Sequence, residues 1–101
     1  MSMQVLYAPE VAVELADAHD WYENRAVGLG EEFLRMAYAA FEELVAFPEK
    51  YEVVYGPHRR ALLRRFPYSV YYVVGQHSLT VYGVFHTSRD PHVITEALDN
   101  R

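Results

Sequence analysis

The sequence contains no cysteine and no long apolar run. Without cysteine, disulfide bonds and thiolate chemistry are excluded, and the redox compartment is left undecided. No apolar stretch approaches the roughly 18 residues that a transmembrane helix needs. The first five residues, MSMQV, do not place a basic segment before an apolar one, so no secretory signal is predicted. The cytoplasm is therefore the expected compartment.

Signature motifs of cofactor and metal chemistry are also missing. There is no glycine-rich phosphate loop, no nucleophile elbow and no zinc-binding spacing. The adjacent glutamate pairs Glu31-Glu32 and Glu42-Glu43 fall in a helical pattern, where neighbouring side chains point apart, so neither pair is predicted to form a catalytic dyad. We expect no cofactor and no metal ion.

Positive charge is scarce in the first half of the chain. Residues 1–53 hold eleven acidic and three basic side chains, whereas residues 54–101 hold three acidic and six basic ones, within a net charge of −5. Nonspecific binding of nucleic acid needs a broadly basic surface, because the affinity comes from neutralising several phosphates at once. This distribution favours instead one local site for an acidic peptide partner.

What is present is a length and an apolar content typical of one folded domain. The chain has 101 residues, of which 51% are hydrophobic and 15% aromatic. Residues 1–101 are therefore predicted to form a single domain with one core. Apolar residues recur at helical spacing through two early segments, and the second half of the chain changes to strand-like runs.

The predicted elements follow the order strand, helix, helix and then further strands. The first strand covers residues 3–7, the first helix begins near Pro9, and Gly28 is its predicted C-cap. The remaining elements are a helix over 31–46, strands over 51–55, 60–66, 70–74 and 79–85, a tight turn over 75–78, and a short helix from Asp90 towards Leu98. This order predicts an α+β fold in which an N-terminal strand and an antiparallel helical hairpin pack on an antiparallel β-sheet meander.

The last two predicted strands are apolar on both faces. A sheet with one solvated face shows a cleaner alternation of apolar and polar residues, so both faces of this sheet are expected to be covered. Either the terminal helix covers the second face or a partner does, and the sequence leaves both interpretations open.

Four of the eight arginines fall within seven positions, just before the two strongest strand patterns. Guanidinium groups recognise carboxylates and phosphates through forked hydrogen bonds, which favours a role in partner binding. The alternative is that they compensate the acidic side chains of the helical half, and the two interpretations carry equal weight. If residues 60–66 form a strand, Arg60 and Arg64 share one face, and Arg59 and Arg65 share the other.

A small polar group follows the last predicted strand. In one interpretation His86, Arg89 and His92 supply an acid/base pair and an anion-stabilising arginine, as RNA cleavage requires. In the other they belong to a surface loop before a helix. The strands also carry aromatic residues that either stack on bases or form sheet core: Tyr68, Tyr71, Tyr72, Tyr82 and Phe85. For both groups we favour the structural interpretation.

Several short motifs occur in the order and spacing of a known family. They are Asp20-Trp21-Tyr22-Glu23, the runs over 28–34 and 64–72, Phe47-Pro48, and the run over 84–91. On these residues, which cover nearly the whole chain, the sequence resembles the RelE/ParE superfamily of bacterial type II toxin–antitoxin toxins, once labelled plasmid stabilisation proteins. The resemblance implies a helical hairpin on an antiparallel sheet and a cognate antitoxin as partner.

The superfamily contains two mechanisms, and the resemblance bears on both. RelE-like members cleave mRNA in the ribosome with basic residues and often a C-terminal tyrosine, whereas ParE-like members poison DNA gyrase. The RelE cleavage positions correspond here to Arg60, Leu62, Ser69, Thr87 and Val93, so most of the cleavage residues are absent. Ribosome-active members also tend to be strongly basic, whereas this chain is acidic. The resemblance therefore implies the ParE-like branch.

We accordingly expect a toxin that binds DNA gyrase and is neutralised by an antitoxin with an acidic amphipathic tail. The residues expected to bind that partner are Arg59, Arg60, Arg64, Arg65, Tyr72 and Arg89. One alternative is a ribosome-dependent mRNA endoribonuclease, with candidate catalytic residues Arg60, Arg64, His86 and Arg89. A further alternative is an inactive homologue that only binds its partner. Without the antitoxin, uncovered apolar sheet would favour a homodimer, and no membrane partner is expected.

Overall fold

The computed structural model describes residues 3–101, which form three helices and five strands. The strands are β1 (Gln4–Tyr7), β2 (Val53–Tyr55), β3 (His58–Leu62), β4 (Tyr68–Val74) and β5 (Ser78–His86). The helices are α1 (Pro9–Glu23), α2 (Leu29–Ala46) and α3 (Pro91–Asn100). Residues 1 and 2, part of the segment in which no secretory signal is predicted, lie outside the described residues. Within residues 3–101 no helix is both long and apolar enough to cross a membrane.

The strands form one sheet in the order β1-β5-β4-β3-β2. Strands β2 to β5 are antiparallel neighbours, as predicted, and β1 joins β5 in parallel, so the whole sheet is mixed. Gly75 and Ser78 close the predicted tight turn between β4 and β5, where the Gly75 N–H donates to the Ser78 carbonyl at 2.7 Å. The predicted α+β architecture is confirmed.

The main core lies between the helical hairpin and one face of the sheet. The apolar stripes of α1 and α2 are buried there, as their helical spacing predicts. On the sheet side the completely buried members are Val70, Tyr72, Leu79 and Val81. Burying one large apolar side chain stabilises a fold by about 1.5–3 kcal/mol, so this layer is the main source of stability.

The second face of the sheet is covered in part by α3. Ile94 and Leu98 of this helix pack on Tyr71 and Phe85 of β4 and β5 and form a separate buried cluster. The helix begins as predicted, because the Asp90 carboxylate accepts a hydrogen bond from the backbone N–H of His92 at 2.8 Å. Of the two interpretations left open by the sequence, the terminal helix therefore accounts for this part of the face.

Two predicted boundaries are wrong, and both change the interpretation of the site. Helix α1 ends at Glu23, so Gly28 is not its C-cap; it is the N-cap of α2, in a left-handed conformation with φ 87°. The strand predicted over 60–66 covers His58–Leu62, because the chain turns before Pro67, with Arg65 at φ 68°. Arg64 therefore does not share a strand face with Arg60. The other end-point differences are one to two residues.

Glu23 joins the two helices of the hairpin. Its carboxylate accepts hydrogen bonds from the backbone N–H groups of Gly28 at 2.9 Å and Gly30 at 3.0 Å. N–H groups at the beginning of a helix have no acceptor within the helix, and Glu23 supplies one for these two. The two hydrogen bonds hold the pKa of Glu23 below its ordinary value. Gly30 also lies against α1, since a Cβ atom there would be 2.6 Å from the carbonyl oxygen of His19. The sequence thus fixes how closely α1 and α2 approach.

We predict that Glu23→Gln lowers the thermal stability and flattens its dependence on acid pH. Because folding lowers the pKa of Glu23, its stabilisation is complete above its ordinary value of 4.5 and is lost as the pH falls through the folded pKa. Thermal melts of wild type and variant at a series of pH values should therefore converge towards low pH. Glu42→Gln is the control, because the exposed Glu42 side chain has no hydrogen bond within residues 3–101. Curves that stay parallel down to strong acid would contradict this role.

Candidate partner-binding site

A groove of about 460 Å³ lies on the sheet face opposite the helical hairpin, between α3 and the β2–β3 edge. We call it the sheet-side groove. Arg60 pairs with Tyr71 across β3 and β4, and directly paired residues have their side chains on the same face. Tyr71 packs against α3, which places Arg60 on the same side of the sheet as that helix. The other residues that line the groove are Val54, Tyr55, Leu62, Ser69, His86, Thr87, Arg89, Pro91, Ile94, Thr95 and Leu98.

Two arginines of the groove have side chains without a protein partner. Arg60 is exposed on β3, and Arg89 is exposed in the loop between β5 and α3. Neither guanidinium makes an ion pair or a hydrogen bond within residues 3–101, and no aspartate or glutamate lines the groove. The groove therefore offers two free cations next to apolar surface, which is an arrangement suited to a carboxylate or phosphate.

His86 is held as a hydrogen-bond donor at the border of the groove. Its Nδ1 accepts a hydrogen bond from the backbone N–H of Ser88 at 3.0 Å, and the Ser88 hydroxyl lies 2.8 Å from the same nitrogen. Since a backbone N–H can only donate, the neutral ring carries its proton on Nε2. This geometry favours donation to an anion and gives no support to a general-base role for the His86 ring.

The other arginines of the sequence cluster lie elsewhere and are largely used by the fold. The Arg59 guanidinium donates to the carbonyls of Tyr51 at 2.6 Å and Glu49 at 3.3 Å, and Arg65 forms an ion pair with Glu32. Arg64 is exposed and lines a different concavity beside α2. Compensation of the acidic helical half therefore holds for Arg65, whereas Arg59 is engaged by backbone carbonyls rather than by an acidic side chain. The cluster does not form one continuous surface.

Tyr72 must be removed from the predicted contact surface. Its side chain is 0% exposed on the helix-facing side of the sheet, and its hydroxyl donates to the carbonyl of Pro48 at 2.9 Å. Burial raises its pKa. Tyr71 and Phe85 are buried against α3, while Tyr68 and Tyr82 pack at the margins of the core. For these aromatic residues the core interpretation is confirmed.

A residue pair that the sequence did not suggest holds α3 as one wall of the groove. Glu14 of α1 and Arg101, at the end of α3, form an ion pair at 2.6 Å, with side chains only 18% and 12% exposed. The second Glu14 oxygen accepts from the Val84 N–H at 2.9 Å, and Arg101 donates to the Tyr82 carbonyl at 2.9 Å. Gly83 leaves room first for the Phe85 ring and then for this contact, since a Cβ there would lie 2.4 Å from Cε2 of Phe85 and 3.1 Å from Nη1 of Arg101.

Four of the five positions to which the RelE resemblance assigns RNA cleavage come together in the sheet-side groove, and Val93 does not line it. Arg60, Leu62, Ser69 and Thr87 all line it, although they come from two strands and a loop. Three of these four side chains carry no charge. The groove thus has the location that the resemblance implies for a functional site, without the set of basic side chains that cleavage uses.

A second, larger groove lies on the opposite side of the molecule, along α1 and α2. This helix-side groove has a volume of about 790 Å³ and is mainly apolar, with Leu15, Leu34 and Phe41 among its lining residues. Its rim is acidic, because Asp20 and Glu31 flank it. The hydrogen bond that the His19 ring donates to the Asp20 carboxylate, together with the nearby charge of Glu31, raises the pKa of His19, which lies between them.

The helix-side groove ends at the free edge of the sheet. Among the strands of residues 3–101, β1 has a neighbour only in β5, and Leu6 and Tyr7 are 43% and 50% exposed. The Gln4 N–H donates to the carbonyl of His77, just before β5, and the Ala8 N–H donates to the carbonyl of Val81. Alternation therefore leaves the N–H groups of Val5 and Tyr7 on the open edge. Such an edge can accept an added strand. Within residues 3–101 no cluster of side chains is arranged to hold a metal ion.

Comparison with known proteins places this geometry in context. The family model described as ParE toxin of type II toxin–antitoxin system, parDE, matches residues 5–91. A solved structure of the chromosomal ParDE TA system from P. aeruginosa is 16% identical and has a TM-score of 0.64, over 86% of this chain and 98% of that chain. A double arginine mutant of E. coli toxin RelE in the free state is 15% identical with a TM-score of 0.59, over 99% and 98% of the two chains. At these identities the two structures support the fold alone. No curated protein matches the chain.

We predict that Glu14→Gln destabilises the protein, because it leaves the mostly buried Arg101 guanidinium without its counter-charge. A hydrogen bond to a buried charged group contributes about 1–3 kcal/mol, and this is the expected loss in the free energy of unfolding by urea. Asp17→Asn, on an exposed position of the same helix, is the matched control and should change little. Equal stability of the two variants would contradict the proposed role of the pair in holding α3.

Proposed function

The chain belongs to the ParE family of toxins from type II toxin–antitoxin systems, and we propose that it acts by binding DNA gyrase in the cytoplasm rather than by cleaving RNA. The observation that carries this proposal is the composition of the sheet-side groove. It combines Arg60 and Arg89, which are unpaired within residues 3–101, with neutral side chains at three of the four cleavage positions that line it.

The chemistry of RNA cleavage supports the same choice. Attack by a 2′-hydroxyl needs a group that accepts its proton and cations that stabilise the phosphate in the transition state. Arg60 and Arg89 meet the second need. For the first, the groove has no carboxylate, and Nδ1 of His86 already accepts a hydrogen bond from Ser88. A groove of this kind is suited to binding an anionic segment.

We assign the acidic part of a cognate antitoxin to the sheet-side groove. Carboxylates of an extended segment would pair with Arg60 and Arg89, while apolar side chains cover Leu62 and Val54. The apolar part of the antitoxin would lie in the helix-side groove or add a strand to β1, because both are exposed and apolar. The antitoxin gene is expected in the adjoining reading frame, as a short frame that encodes an acidic tail.

The strongest alternative is a ribosome-dependent mRNA endoribonuclease, and one observation favours it. Arg60, His86 and Arg89 lie around a single groove, although they are distant in the sequence, and together they could stabilise a phosphate. Arg64, which the sequence suggested as a fourth catalytic candidate, lies outside this groove and is therefore left out of the endoribonuclease hypothesis. An inactive homologue that only binds the antitoxin is the further alternative.

Induction of the protein without its antitoxin separates these functions. If it poisons gyrase, we expect altered plasmid supercoiling and a DNA-damage response, while mRNA stays intact. Ribosome-associated mRNA cleavage with normal DNA topology would refute gyrase as target and favour the endoribonuclease. Normal growth at confirmed expression would favour the inactive homologue.

We predict that Arg60→Ala and Arg89→Ala each weaken antitoxin binding by about 1–3 kcal/mol, the usual range for truncating a desolvated charged contact. Arg35→Ala is the matched control, because Arg35 is exposed on α2 and lines neither groove. Isothermal titration calorimetry with the product of the adjoining frame measures all three. Wild-type affinity in both groove variants would show that the antitoxin binds elsewhere.

A further inference from the structure

The only tryptophan of the chain stands half-exposed at a concavity separate from both grooves. Trp21 of α1 is 51% exposed. Its ring is held in place on two sides: it packs edge-on against Tyr22 at 5.0 Å, and the Arg25 guanidinium lies over its face at 4.0 Å. An aromatic side chain that is already ordered loses little entropy when a partner covers it, and tryptophan is the residue type most enriched at the centres of protein interfaces.

Trp21 forms one side of a pocket of about 400 Å³ between α1 and the end of β5. The pocket has an apolar floor that includes Ala18, Val84 and Phe85. Its deep carboxylate, Glu14, has both oxygens engaged by Val84 and Arg101 and is therefore structural. Apart from Glu14, this pocket offers a ligand an apolar floor beside an indole ring, with Asp17, His86 and Arg89 also among its lining residues.

The pocket is continuous with the sheet-side groove. His86 and Arg89 line both concavities, so these two residues form a ridge between them. A peptide that pairs an acidic side chain with Arg89 from the sheet-side groove reaches the pocket beside Trp21 when it crosses the ridge. Arg25, stacked on Trp21, adds another cation at the far side of the indole.

From this continuity we infer that the Trp21 pocket is a second subsite for the same antitoxin segment, and that it receives a bulky apolar side chain that follows the acidic residue on Arg89. This inference rests on the proposed function. It adds a specificity requirement: the segment must be acidic over Arg60 and Arg89 and apolar beside Trp21. A uniformly acidic tail meets the first requirement and leaves the indole uncovered.

The single tryptophan makes the wild-type protein its own reporter. The probe is the product of the adjoining reading frame, with any tryptophan of its own replaced by phenylalanine, and excitation at the red edge of the indole band avoids the tyrosines. If the segment covers Trp21, its emission maximum should move to shorter wavelength as antitoxin is added, because the half-exposed indole loses water. The shift should saturate at the stoichiometry of the complex.

Substitution gives an independent measurement. We expect Trp21→Ala to weaken antitoxin affinity by about tenfold or more, as for a buried aromatic contact at an interface. Phe47→Ala is the matched control, because Phe47 is 61% exposed and lines neither of the two grooves nor the Trp21 pocket. The affinity of this variant should stay at the wild-type value. Unchanged thermal melts would establish that both variants fold.

The outcomes distinguish this inference from the function on which it rests. Antitoxin binding with an unmoved emission spectrum and wild-type affinity of Trp21→Ala overturns the second subsite and leaves the proposed function intact. An emission shift that follows the concentration of the protein alone assigns the pocket to a second copy, and a shift with gyrase but not with antitoxin assigns it to the target; either result overturns the inference. If the antitoxin does not bind at all, both proposals are wrong.

Discussion

Helix α1, strand β5 and the end of α3 meet at the carboxylate of Glu14. Strand β1 accompanies β5 only as far as Val81, so the edge of β5 beyond that residue has no neighbouring strand. The register of β4 against β5 also shifts there, which leaves Tyr82 as an extra residue. Glu14 accepts the Val84 N–H on this open edge, and Arg101 covers the Tyr82 carbonyl. Buried backbone groups need such partners, and the pair that supplies them also fixes α3. The two side chains that bond to the open edge of β5 therefore also hold α3 in place as one wall of the sheet-side groove.

The arginines divide into those that complete the fold and those that remain free. Arg59 closes the loop after α2 by donating to two backbone carbonyls, and Arg65 meets Glu32 at the surface. Exposed ion pairs contribute about 0–1 kcal/mol, so the Arg65 pair adds little stability and chiefly fixes the loop after β3. Arg60 and Arg89 face no acidic side chain in their groove. Neither forms an ion pair within residues 3–101, in a protein with a net charge of −5, and this is the basis for proposing the groove as the site where an anion binds.

The sequence predicted the order of the elements well and the site only in part. Helical spacing, Asp90 before Pro91 and the Gly75 turn each correspond to a local interaction, so α1, α2, α3 and the β4–β5 hairpin were predictable. The four clustered arginines were expected to lie together in space because one strand was predicted to run as far as Phe66. That strand ends at Leu62 and the chain then turns, so Arg64 and Arg65 are separated from Arg60. Val70 and Tyr72 are two residues apart in one strand and so share a face of the sheet, and this alone could have placed Tyr72 in the core. Nothing local could have paired Glu14 with Arg101, since several acids of α1 were equivalent until the open edge of β5 was known.

The distribution of charge over the two grooves limits what a neutralising partner can be. The expectation of an acidic tail suits the sheet-side groove, but the helix-side groove has Asp20 and Glu31 on its rim. Exposed charges interact over a Debye length of about 8 Å at physiological ionic strength, so a tail that stayed acidic along both grooves would be repelled from the apolar surface of the second. A single chain that covers both must therefore lose its negative charge where it passes from the sheet to the helices. The partner is therefore described by the sequence of an acidic part on the sheet and a part without negative charge on the helices, rather than by its net charge.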